Sequence, residues 1–138
     1  MPLLTIATFL PILAGLALMA LPDRSTRTAH AVSIAATGAV FLITLAIWAR
    51  GIVAGDFAQV EEIAWIPAIG AAYRLGVDGL SLPLVLLTSL LFFLSALYSA
   101  RIGERAASYV VLMLMLETAS LGTFMALDGL LFYVFFEV

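Results

Sequence analysis

Asp128-Gly129-Leu130-Leu131-Phe132-Tyr133-Val134-Phe135-Phe136-Glu137-Val138 closes the sequence, and its reading decides the fold. After Asp128 no charge appears until Glu137, nine positions later. At ~1.5 Å rise per residue, a helix starting here puts Glu137 ~14 Å below Asp128, near the middle of a ~30 Å hydrocarbon layer. A carboxylate at that depth costs about 2.5–3.5 kcal/mol on insertion scales, and it reads as a mark of an ion or proton path. A helix of about ten residues is too short to cross a bilayer, for which ~20 are needed. The chain is therefore expected to be the N-terminal piece of a longer membrane protein.

The rest of the composition agrees with a membrane setting. Hydrophobic residues make up 64% of the chain and the mean hydropathy is +1.20, against about 45–50% apolar residues in soluble domains. The net charge of -3 says little about partners, because the charges are confined to loops or stand singly inside apolar runs. Six arginines spread over the whole length, with no lysine, do not form a basic nucleic-acid footprint. The absence of cysteine excludes a disulfide framework, a thiol nucleophile and a Cys-ligated cluster. A lone histidine, His30, cannot build a metal site by itself. The first apolar run lacks a basic n-region and is too long for a signal-peptide core.

Upstream of the Asp128-Gly129 turn signal, residues 106–127 read as a span interrupted only by Glu117, and residues 79–100 as the span before it. Asp78 precedes that earlier span and is expected to cap its N-terminus, with Ser81 sharing the role. Pro83 falls in the first turns, where a missing N–H costs little. Residues 3–21 and 30–49 supply two more spans; Pro11 lies mid-span in the first, as a tolerated proline or a hinge. Thr37, Gly38 and Thr44 in the second suit close helix packing. His30 sits at the polar edge of its span, an interfacial position that also leaves a proton-relay role open. The fold class is thus all-α, a polytopic transmembrane helix bundle with four complete spans and the start of a fifth at 129–138.

Residues 50–77 form the one long hydrophilic connection. It carries Asp56, Glu61 and Glu62, read as solvated, and then Trp65, Pro67 and Tyr73. Trp and Tyr favour the interface, so the segment is expected to fold back on the membrane surface in short extended or helical pieces. The short loops after the first and third spans each hold two arginines (Arg24, Arg27; Arg101, Arg105), while the long loop is acidic. The positive-inside rule then predicts an extracytoplasmic N-terminus and an extracytoplasmic 50–77 loop.

Glu117 lies eleven residues before Asp128 and Glu137 nine after it. Across a tight turn the two carboxylates fall ~16 and ~14 Å from one surface. Matched depth is what proton exchange between them requires, although helix rotation is left undetermined. On its own helix Glu117 shares a face with Met113, Leu114, Ser120 and Leu121. No basic residue lies within any span, so both acids must be protonated, hydrated or paired with a cation from elsewhere. Glu137 reads as a proton-translocation residue. For Glu117 a relay role and a protonated packing role both stand.

Three stretches carry a family resemblance: Trp65-Ile66-Pro67, then Tyr73-Arg74-Leu75-Gly76-Val77-Asp78-Gly79-Leu80-Ser81-Leu82, and finally the run from Leu127 to Glu137. They resemble the N-terminal part of the M-subunit family of bacterial NADH-quinone oxidoreductase (respiratory complex I), whose members are antiporter-like membrane subunits. The resemblance implies a proton-translocating subunit, coupled to NADH oxidation and quinone reduction in other subunits. It implies an essential glutamate on the fifth helix, matched by Glu137 and working with a lysine on a later helix, and offers no role for Glu117. It also implies that the chain is an enzyme subunit without a redox centre or cofactor of its own. NADH, FMN, the iron–sulfur clusters and quinone would then belong to the assembled complex. The implied partners are other complex I subunits, including neighbouring antiporter-like ones, and the lipid bilayer, with no nucleic acid; the implied location is the bacterial inner membrane. Two alternatives remain: a homologous subunit of a multi-subunit sodium/proton antiporter or membrane-bound hydrogenase, and a structural membrane scaffold with both glutamates as packing residues.

Overall fold

In a computed structural model, residues 2–22, 25–51 and 58–138 are described; Arg24 and Asp56 lie outside them. Leu3–Ala20 (α1), Thr26–Ala49 (α2), Ser81–Ser99 (α3) and Ala106–Met125 (α4) are each long and apolar enough to cross a membrane. Gly129–Glu137 forms α5. Between α2 and α3, Ala58–Ile66 (β1) and Ala71–Val77 (β2) pair as an antiparallel hairpin.

The helix boundaries follow local hydrogen bonding. The second helix starts at Thr26 rather than at His30, because the Ser25 side chain accepts from the Thr28 backbone N–H and caps it there. The fourth ends at Met125 rather than at residue 127. Ala126 and Leu127 leave the helix to pair with β2, through an antiparallel bridge between Ala126 and Leu75 and a bond from Leu127 N–H to Arg74 O of 2.9 Å. At the start of α3, Asp78 Oδ1 accepts from the Ser81 N–H at 2.7 Å and Ser81 Oγ accepts from the Asp78 N–H at 2.9 Å. This is the reciprocal geometry of a capping box.

Helix α4 lies at the centre and packs against α1, α2, α3 and α5. On α1, Gly15 faces Leu114 and Val111 of α4, where a Cβ would sit in ordinary van der Waals contact at 3.8 Å. Pro11 sits inside α1 and is buried. The next N–H, that of Ile12, donates across the interface to Thr118 Oγ1 at 3.1 Å, so the disturbed turn is stitched to α4. Between α2 and α3, the Phe41 and Phe93 rings stack at 6.1 Å and the Thr44 and Ser89 hydroxyls bond at 2.8 Å. Leu13, Leu42, Leu87, Leu91 and Leu116 point outward, as expected where lipid or further helices replace water.

In the described part of the 50–77 connection, residues 58–77, the short extended pieces pair with each other. Pro67–Ile69 forms one 3-10 turn, and Gly70 closes it at φ 68, a left-handed conformation that glycine adopts without strain. Ile63 faces Tyr73 and Glu62 faces Arg74 across the ladder, with an ion pair of 2.7 Å between the latter two.

Candidate functional site

Beneath the hairpin, β2 and α4 fix the position of α5. Asp128 caps the helix, Oδ1 accepting from the Leu130 N–H at 2.9 Å. Its second oxygen, Oδ2, accepts from the Ala72 N–H of β2 at 3.2 Å. These backbone donors, Ala72 first, hold the Asp128 carboxyl below the usual aspartate range. Farther along α5, Leu131 and Phe135 are the buried residues. The Phe135 ring lies against Gly122 of α4, in space that any side chain at 122 would fill.

Glu137 is two residues beyond Phe135, a rotation of about 200° around the helix. It is exposed on the face of α5 turned away from α4. Glu117 is the opposite case: it is 0% exposed, packed inside the bundle. Neither of its carboxyl oxygens has a hydrogen-bond partner among the described residues. Met113, Leu114 and Leu121, expected on the same face, are buried with it. Both acids stand about 12 Å along their helices from the α4–α5 turn, at 1.5 Å per residue. The fold does not turn Glu137 toward Glu117. Tyr133, one turn from Glu137, is 58% exposed.

One acid expected to be solvated is not. Glu61 reaches from β1 to the start of α1, where Oε1 accepts from Leu4 N–H at 2.8 Å and Oε2 from Thr5 N–H at 2.9 Å. The Thr5 hydroxyl donates to the same carboxylate and lies 3.0 Å from Tyr73 Oη. Glu61 thus supplies the helix with the N-terminal anion that its own first turn lacks. Burial, opposed by the Thr5 bond, pushes the Tyr73 hydroxyl up. At the far end of the bundle His30 is buried, its Nε2 2.8 Å from Ile102 O in the α3–α4 loop. No metal-binding cluster of acids and histidine exists among the described residues.

No family model matches the chain. It is 40% identical over 141 residues to NADH-quinone oxidoreductase subunit M of Rhodobacter capsulatus, covering 98% of this chain and 27% of that protein. To NAD(P)H-quinone oxidoreductase chain 4 1 of Synechococcus elongatus it is 38% identical over 139 residues, 99% of this chain and 26% of that one. Its fold superposes with a TM-score of 0.77 and 32% identity on a chain of respiratory complex I from Thermus thermophilus with bound NADH, covering 97% of this chain and 26% of that chain. The chain thus spans about a quarter of the length of the proteins it matches. Fold and site together define a multi-pass membrane helix bundle, with Glu117 buried in one of its four membrane-length apolar helices. Within that class, nearly the whole of this chain is similar to about a quarter of the proteins called subunit M or chain 4 of NADH-quinone oxidoreductases.

Proposed function

We propose that the chain belongs to a proton-translocating membrane subunit of an NADH-quinone oxidoreductase, in which Glu137 carries the proton. The observation that supports this most is similarity along nearly the whole chain to subunit M and chain 4 proteins, combined with a carboxylate at the end of the apolar helix α5, whose other face is packed on α4. In this reading NADH oxidation, through FMN and iron–sulfur clusters, and quinone reduction take place in partner subunits. The partners include neighbouring antiporter-like ones. The protein sits in the bacterial inner membrane with its N-terminus and hairpin on the outer side.

The chemistry asked of Glu137 is simple. Its carboxyl accepts a proton, holds it in an environment where the charged form depends on nearby cations, and releases it when those cations move. Its exposed position on α5 leaves it open to groups beyond this chain. Glu117, enclosed in the bundle, is a secondary relay in the same reading. Replacing Glu137 by Gln keeps the shape and removes the ionisable proton. The complex should then assemble while proton pumping and coupled quinone reduction collapse. Glu137→Asp keeps the acid and should retain part of both. Wild-type pumping in the Gln variant would leave Glu137 a packing residue.

A further inference from the structure

We propose that Asp128 is a positioning residue for Glu137, tying the helix that carries the proton-bearing carboxylate to the hairpin outside the membrane. The inference rests on the reading of Glu137 given above. A helix cap needs a single acceptor, and Asp128 spends only Oδ1 on the Leu130 N–H. Its other oxygen holds the Ala72 N–H of β2, 56 residues away in sequence. The same strand reaches the α4–α5 turn twice more, through Leu127 N–H to Arg74 O and through the Ala126–Leu75 bridge. Gly76 lets the Leu127 side chain lie close over the strand; a methyl group at 76 would come within 2.7 Å of Leu127 Cδ1.

These contacts set the height of α5. Its rotation is set by Phe135 against Gly122 and by Phe135 against Phe9, whose rings are 6.1 Å apart. Phe9 also meets Tyr73 of β2 at 6.3 Å, so the hairpin touches both restraints. A helix fixed in height and rotation holds Glu137 at one depth and bearing. A shift at residue 128 is passed along one rigid, two-and-a-half-turn helix to the carboxyl, and proton transfer falls steeply with misplacement of about 1 Å.

The experiment separates capping from the tie to the hairpin. In the complete enzyme in membrane vesicles, Asp128→Ser keeps an oxygen for the Leu130 N–H but has none left for Ala72. Asp128→Asn is a second variant of nearly the same shape, with one acceptor oxygen instead of two. Each is read by the amount of assembled complex, the pH profile of coupled quinone reduction, and the rate at which a hydrophobic carbodiimide modifies Glu137. Both variants are expected to assemble, with the carbodiimide rate changed at least about threefold, a displaced pH profile and a drop in coupled turnover of about tenfold. A wild-type profile and labelling rate in Asp128→Ser would reduce Asp128 to a helix cap. Failure of both variants to assemble would make the tie a folding element and overturn the proposal equally. Glu137→Gln is run beside them: if it pumps normally, the reading of Glu137 fails, while the labelling rates in the Asp128 variants still report whether Asp128 sets its position.

Discussion

Glu137 and Glu117 share a chemistry and differ in their surroundings. Glu117 is closed inside the bundle, so Glu117→Gln is expected to lower pumping less than Glu137→Gln. The check is the initial rate of acidification in vesicles containing equal amounts of each assembled enzyme, and an equal loss at both positions would give Glu117 the same rank. At Glu61 the effect is structural. Removing its carboxylate strands two backbone donors at the start of α1, and Glu61→Ala should cost about 1–2 kcal/mol. The loss should appear as faster proteolysis of the hairpin, with α1 still inserted. Asp78 was legible as a cap in the sequence because it bonds to a donor three residues away. Glu61 was not, since its donor lies 57 residues off and no local pattern marks such a pair. The facing of Glu137 was equally hidden, because rotation about a helix axis is set by what packs on it, here Gly122 and Phe135.

Each element carries its own test. Gly122 gives the Phe135 ring its place on α4, and Gly122→Ala should destabilise the α4–α5 contact by about 1–3 kcal/mol. Pairing it with Phe135→Ala should restore part of the loss, measured by the denaturant midpoint of the purified protein. The caps respond to acid. Backbone donors from Ala72 and Leu130 depress the Asp128 carboxyl, and bonds with Ser81, backbone first, depress that of Asp78. A group whose folded pKa lies below its unfolded value stabilises the fold above the unfolded value and loses that contribution as pH falls through the folded one. Amide exchange at Leu130 and Ala72 should stay slow from neutral pH down to about 4 and quicken below it, after correction for intrinsic exchange. Asp128→Asn should remove that dependence. The spans were readable from apolar length alone, while the ends of α2 and α4 were not. One depends on the Ser25 cap and the other on a strand that recruits Ala126 and Leu127. The hairpin was visible only as an amphipathic, interface-seeking segment, because its register comes from pairing and from Gly70 in the turn.

At the scale of the whole molecule, the hairpin end gathers the start of α1, the start of α3 and the α4–α5 turn, while His30 and the α3–α4 loop mark the opposite end. The chain has no cysteine, so single introduced ones report topology cleanly. Ile69→Cys at the hairpin turn should react with a membrane-impermeant thiol reagent in intact cells, and Gly103→Cys only after permeabilisation. The reverse pattern would invert the bundle. Arginine counts are the ground for that expected orientation, and the motif from Leu127 to Glu137 carried the kinship. What sequence could not carry was the coupling of the hairpin to α5, a property of the packed molecule. The most direct test of the central claim is the number of protons pumped per electron by the complete enzyme with Glu137→Gln in this subunit. The account predicts a well-assembled complex whose proton yield and coupled quinone reduction both fall sharply. An unchanged proton yield at wild-type turnover would contradict it.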